Sequence, residues 1–279
     1  MLDGAARIDD LVNEVAKQNM PAIAMTDHGN LFGAFEFYKK ANKAGVKPII
    51  GIEAYVAPES RFDKRKVKWA DGGDDDVSAG GAYTHMTLLA ENSEGLANLF
   101  RLSSLASLEG YYYKPRMDRE LLSKYGKGLI GTTGCPGGEV QTKIRMGAYE
   151  EAKKAAAELR DIFGKENFFM EIMDHGIEIE NRVRKDLLKL SKELNIPLLA
   201  TNDLHYAKLE DAEYHAALLC VQSGSNLSDP KRFKFDNDQF YLKTAAEMRE
   251  IFKDIPEACD NTLLIAERCE TKIKEGENL

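Results

Sequence analysis

Three kinds of metal-binding side chain recur beside short apolar runs in this sequence. His28 follows "AIAMTD", His85 opens "HMTLLA", Cys135 follows "LIGTTG", and "LLATNDLHY" contains an Asp203-x-His205 pair. Glu53 lies within "IIGIEAYV", where a carboxylate is costly unless it is paired or bound to a cation. Imidazole, thiolate and carboxylate are donors that zinc, manganese and iron accept, and a carboxylate can bridge two ions. Side chains two apart on an extended segment point the same way, so Asp203 and His205 can meet one target. Singly, a buried His or Cys is usually a core residue. Gathered at successive strand ends, where parallel α/β folds place their functional groups, the set predicts a multi-metal site.

The elements that would position these residues follow from periodicity. "RIDDLVNEVAKQN" spaces Ile8, Leu11, Val12 and Val15 as one helical face, and "PAIAM" then reads as a buried strand. "LFGAFEFYKKANKAG" is a helix stopped at Gly45 and followed by the strand "KPIIGIEAYVA". Further strands are "THMTLLAE", "GLIGTTG", "NFFMEIM" and "PLLATND", with helices at "EGLANLFRLSSLAS", "DRELLSKYG", 147–163 and 178–194. Six apolar strands alternating with helices predict an α/β fold with a parallel sheet, open or closed into a barrel. Residues 207–223 and about 244–272 read as helices around an irregular connection. The segment 58–82 reads as a mobile, solvated loop with a basic half and an acidic, Gly-rich half.

Composition narrows the setting. A chain of 279 residues that is 43% hydrophobic and 30% charged can bury a sizeable core. No apolar run approaches the roughly 20 residues that span a bilayer. "MLDGAARIDD" lacks the order of a signal peptide, which predicts a cytoplasmic location. The four cysteines, Cys135, Cys220, Cys259 and Cys269, are too scattered for a disulfide framework. The net charge of −8 would repel a polyanion, so handling phosphate esters requires local positive charge such as bound metal.

Other residues have two readings. His175, in "MDHGIE", is either a metal or phosphate contact or a support or helix cap. His215 and the remaining cysteines lie on apolar helical segments and read as packing. "GYYYKPRMD" sets Tyr111, Tyr112 and Tyr113 beside Lys114 and Arg116, a pairing that suits base stacking and phosphate contact, or aromatics packed on the body of the fold.

"TDHGN", "GIEAYV", "YTHMTLLA", "GLIGTTGCPGGEV", "MEIMDHG" and "LLATNDLHY" resemble the successive motifs of the PHP (polymerase and histidinol phosphatase) domain at the N-terminus of bacterial DNA polymerase III alpha subunits. The resemblance runs from "MLDGAARIDDLV" to "CDNTLLIAERCE", and "FRLSSLASLEGYYYKPRMD" ties it to the replicative polymerase branch. It implies a distorted seven-stranded (β/α) barrel of TIM-like type, with barrel elements over about 1–223 and a helical extension toward the polymerase palm over about 224–279. It also implies two to three clustered divalent ions in a proofreading 3′-to-5′ exonuclease. Asp3, His28 and His205 would hold one ion, His85 and Cys135 with a bridging Glu53 a second, and Asp203 with Glu53 a third. Asp203, Glu53 and His205 would carry the catalysis. The implied partners are a DNA 3′ end, the rest of the alpha subunit and other holoenzyme subunits.

The family pattern opens with a His-x-His strand a few residues before "LDG", whereas this chain starts at Met1 inside that motif. The expectation is therefore a fragment without the first barrel strand, with weak activity or none. Nothing after residue 223 offers the clustered aspartates of nucleotidyl transfer, so polymerase activity would belong to a longer parent. Two other readings stand beside the exonuclease: a metal-free docking module of the polymerase, and a histidinol-phosphate-type phosphatase. The first is disfavoured by the retained ligand residues, the second by the polymerase-like segments.

Overall fold

The computed structural model describes residues 3–67, 80–273 and 275–276. Residues 68–79, the middle of the loop expected at 58–82, lie outside the described residues. Helix α1 (Ile8–Lys17) carries Asp9 and Asp10 in its first turn and Lys17 in its last, which complements the helix dipole, and buries Val12 and Val15. Strand β1 (Ala22–Met25) and helix α2 (Ala34–Lys43) follow, and Gly45, at φ +75, turns the chain into β2 (Lys47–Val56). Beyond the loop come β3 (Thr84–Ala90), α3 (Ser93–Leu108) and a two-residue strand, β4 (Arg116–Met117). Next are α4 (Arg119–Tyr125), β5 (Leu129–Thr132), α5 (Glu139–Arg145) and α6 (Tyr149–Phe163). The chain continues through β6 (Phe168–Ile172), α7 (Glu178–Leu194), β7 (Leu198–Ala200) and α8 (Ala212–Ser223).

The strands form one sheet in the order β1-β2-β3-β5-β6-β7, with β4 paired to β2. All six expected strands are present; β4 and α5 are additions that periodicity does not disclose, being too short to show a repeat. The sheet is not wholly parallel. β3 runs antiparallel to both β2 and β5, while the other pairs are parallel. A parallel return needs a crossover, usually a helix, and the described part of the β2–β3 connection has none. This curled, mixed sheet with helices outside is a distorted (β/α) barrel. Among the described residues β1 and β7 do not pair; Ala5 and Ala6 there donate backbone hydrogen bonds to His205 O at 2.7 and 3.0 Å.

Alternation along the strands builds the interior in layers. Ile49, Leu89, Ile130, Phe169 and Leu199, one from each of five strands, form an apolar floor. Two residues further toward the rim, Thr87, Thr132 and Thr201 surround Glu171. Above them stand Glu53 and His85. The larger core lies outside the sheet, under the helices.

The C-terminal region departs from expectation in two ways. The helix expected over 244–272 is two, α9 (Ala245–Ile251) and α10 (Pro256–Arg268). Pro256 starts the second and keeps Ile255 out of helical conformation. Nor is α10 an appendage: Ile265, Ala266 and the adjoining Cys269 pack on the barrel floor, and Lys47 Nζ reaches Ala266 O at 2.7 Å. No helix among the described residues is long and apolar enough to cross a membrane.

Candidate metal centre

The centre forms at the rim where β1, β2, β5 and β7 end. Because β3 is antiparallel, its beginning lies on that rim, which brings His85 to the same place. Residues 26–28 run on beside β2: Glu53 N donates to Thr26 O and Asp27 O at 3.2 and 3.0 Å, and Gly29 N donates to Glu53 O at 2.9 Å. Gly29 has φ +67, and a Cβ there would come within 2.9 Å of Pro115 Cγ and Tyr55 Cε2. Only glycine lets the 110–115 loop pack against the His28 turn.

The side chains converge in two groups, Asp3 with His28 and His205, and His28 with Glu53 and His85; within each group one donor atom per residue lies within 4.8 Å of the others. Asp3 Oδ2 is 2.6 Å from His28 Nε2 and 3.8 Å from His205 Nε2. Glu53 Oε1 lies 2.7 Å from His85 Nδ1, and its Oε2 faces His28 Nδ1 at 3.4 Å. Cys135 Sγ is 3.3 Å from both Glu53 Oε1 and His85 Nδ1. Among the described residues the buried His28 Nδ1 has no hydrogen-bond partner. An orphaned imidazole nitrogen amid carboxylates and a thiol fits a divalent cation.

The charges are strongly coupled. Burial alone would raise Glu53, but His28 and His85 outweigh it and hold the carboxyl at about 2. Burial also opposes ionised Asp3, yet hydrogen bonds from His205 and His28 hold it far below the usual carboxylate range. Burial would lower His28 and His205; the carboxylates instead raise both to about 9, chiefly Glu53 and Asp3 for His28, and Asp203 and Asp3 for His205. The Cys135 thiol is pushed up, first by burial and then by Glu53 and Asp203. Without metal, protons on the histidines balance the carboxylates.

Residues 1–175 match the family profile of the PHP domain. The chain belongs to the PHP domain family. This PHP domain is 59% identical to the DNA polymerase III subunit alpha of Saccharopolyspora erythraea, over 97% of this chain and 24% of that protein. It is also 59% identical to the same subunit of Mycobacterium leprae, over 97% and 23%, and 45% identical to that of Thermus aquaticus, over 100% and 22%. The chain thus spans about a quarter of the length of the curated relatives it matches.

Within this PHP domain Asp203 lies beside the two groups rather than inside either. Its backbone is left-handed at φ +42, its O accepts from His205 Nδ1 at 2.7 Å, and burial raises its carboxyl pKa against the pull of His205. His175 stands behind this turn. It is buried, with Nδ1 2.6 Å from Glu180 Oε1 and Nε2 2.8 Å from Asn202 O. Both ring nitrogens are committed, so His175 supports the Asp203 turn and is not a phosphate contact.

Arg116 also departs from expectation. It is fully buried, and its guanidinium donates to the carbonyls of Gly110, Ala82, Arg61 and Asp63 at 2.8–3.2 Å. With its donors spent on main chain, it fastens loops and does not face DNA. Lys114 instead places Nζ 5.5 Å from the Tyr55 ring at the rim.

Several supporting residues escape sequence reasoning. Tyr55 stacks on His28 at 5.9 Å and Tyr83 on His85 at 5.7 Å. The two-residue step from Glu53 to Tyr55 was the available signal. His215, read as packing, is buried but also holds Asp3 O through Nε2 at 2.7 Å. The irregular 237–243 segment holds the Asp203–His205 turn: Phe240 O accepts from His205 N at 2.9 Å, and Lys243 Nζ donates to Asn202 Oδ1 at 3.0 Å.

Proposed function

We propose that this domain is a metal-dependent phosphodiesterase acting on DNA 3′ ends, the proofreading 3′-to-5′ exonuclease of a cytoplasmic DNA polymerase III alpha subunit. The observation that carries the reading is Glu53 standing between two ligand groups, with one oxygen toward His85 and the other toward His28. The likeness to subunits named DNA polymerase III alpha supports the replicative setting. The partners proposed are the remainder of that subunit and other holoenzyme subunits.

Asp3, His28 and His205 would hold one ion, His85 and Cys135 another with Glu53 shared, and Asp203 with Glu53 a third. Zinc, manganese or iron bound there supplies Lewis-acid polarisation of a phosphate ester and lowers the pKa of water. Hydrolysis forms a bond from water oxygen to phosphorus, breaks the bond to the 3′ oxygen and returns a proton to it. The Asp203 carboxylate, on its left-handed turn beside the two ligand groups, would help to hold that third ion at the rim. His205, on the same turn, fixes the Asp203 backbone through Nδ1, which leaves Nε2, 3.8 Å from Asp3 Oδ2, as its ligand atom. Lys114 neutralises a neighbouring phosphate.

The test is a 3′-labelled primer incubated with the chain and Mn²⁺ or Zn²⁺. Slow release of the 3′ label, abolished by Asp203→Asn, is expected. Neither bound metal nor cleavage would favour a docking module, and turnover of a phosphomonoester alone would favour a phosphatase.

A further inference from the structure

Phe32 is 93% exposed, yet it is held in place. Asn30 Nδ2 donates to His28 O at 3.0 Å, and Asn30 Oδ1 accepts from Phe32 N at 3.0 Å. This Asx turn fixes the base of the ring two hydrogen bonds from a residue of the metal centre. The 110–115 loop meets the same turn at Gly29, through Pro115. On that loop Tyr113 is 56% exposed and left-handed at φ +62, with Lys66 Nζ 4.8 Å from its ring. Next to it Lys114 Nζ lies over Tyr55, which stacks on His28. Two exposed aromatic rings and Lys114 therefore stand on loops that carry or touch residues of the metal centre, with Lys66 beside Tyr113.

This mixture complements a single nucleic-acid strand, whose bases are flat and apolar and whose backbone is anionic. A small phosphomonoester has no base to cover either ring. A paired end keeps its bases stacked inside the duplex, out of reach of both.

We propose that Phe32 and Tyr113 are positioning residues that stack the unpaired bases of a 3′ end, so that a frayed or mismatched terminus is selected over a paired one. The proposal rests on the phosphodiesterase reading of the centre and adds to it the residues that choose the substrate. Its chemistry is recognition only; no further covalent step is involved.

The full chain is assayed with Mn²⁺ on oligothymidylate and on bis(p-nitrophenyl) phosphate, a diester with no base. Binding is read separately from the quenching of a 3′-terminal 2-aminopurine in a phosphorothioate-linked oligonucleotide that resists hydrolysis. Phe32→Ala is expected to lower kcat/KM on oligothymidylate about 5- to 150-fold relative to its effect on the small diester, mainly through KM, and to remove the quench. Phe32→Trp should restore both. Tyr113→Asn, chosen because Asn tolerates the left-handed backbone, should repeat the selective loss. Equal losses on the two substrates, or an unchanged quench in Phe32→Ala, would overturn the proposal. If the wild type cleaves neither substrate yet quenches in a Phe32-dependent way, the exonuclease reading fails and base stacking stands. Cleavage of DNA without any quench gives the converse.

Discussion

The Thr201 hydroxyl donates to Glu171 Oε1 at 2.7 Å, tying the end of β7 to the middle of β6. Thr87 and Thr132 donate to the other oxygen, so one carboxylate gathers hydroxyls from three strands in the layer beneath the metal centre. Glu171→Ala would leave three hydroxyls without their acceptor and open a cavity. The expected cost is about 2–4 kcal/mol, read as a lower denaturation midpoint with an unchanged m-value. An unaltered midpoint would mean that water takes over the role of the carboxylate.

Replacing Glu171 with Gln gives a pH test. Burial raises its folded pKa above the ordinary 4.5, outweighing the threonine hydrogen bonds. A group raised in this way stabilises fully below its unfolded pKa and loses that contribution as pH climbs through the folded value. The wild type should therefore lose stability from about pH 4 upward in a way that Glu171→Gln does not. Tm measured against pH should show the variant gaining on the wild type toward neutrality. Parallel curves would show that Glu171 titrates normally.

The layering that makes these predictions possible is largely legible in the sequence. Glu53 amid isoleucines, and the step from Asp203 to His205, both announce inward-facing polar groups at period two. The direction of β3 is not legible, because an apolar run reads the same from either end. His85 consequently sits at the start of its strand, on the rim where the other strands finish. Arg116 misleads for a different reason. Its sequence neighbours are tyrosines and Lys114, but its partners are carbonyls from residues 61, 63, 82 and 110, which only the folded chain brings together.

Arg116 and Lys114 should accordingly separate cleanly. Arg116→Lys keeps the charge but cannot reach four carbonyls, and should cost about 2–4 kcal/mol of stability. Lys114→Ala should change stability by less than about 0.5 kcal/mol while weakening single-stranded DNA binding. Its salt dependence should become shallower by about 0.7 in the slope of log K against log salt. Denaturant midpoints and anisotropy titrations at several salt concentrations measure both. A stable Arg116→Lys with impaired DNA binding would reverse the assignment.

Metal binding should depend on pH through the histidines. In the metal-free protein His28 and His205 have folded pKa values of about 9 against an ordinary 6.5. Their stabilising contribution is full below about 6.5 and is lost as pH rises through about 9, where Asp3, Glu53 and Asp203 lose their counter-charges. The Tm of chelated protein should fall over that interval. Mn²⁺ or Zn²⁺ affinity should tighten over the same range, because fewer protons must be displaced. A metal affinity that stays flat from about pH 7 to about pH 9 would exclude the proton exchange.

Cys135 offers the most direct test of ligand identity. It is partly exposed, whereas Cys220, Cys259 and Cys269 are buried, so a small reagent should reach it first. Burial and the carboxylates of Glu53 and Asp203 keep its thiol protonated without metal, and protonated thiols alkylate slowly. Glu53→Gln removes one of those carboxylates and should speed reaction of metal-free Cys135 with iodoacetamide by a factor of about 3 to 10, followed by peptide mass spectrometry. In the wild type Zn²⁺ should act in the opposite direction, ligating the sulfur and blocking alkylation at Cys135. If Zn²⁺ binds stoichiometrically and the Cys135 peptide still alkylates at its metal-free rate, the thiol lies outside the coordination sphere. Glu53, His85 and His28 would then hold that ion without it.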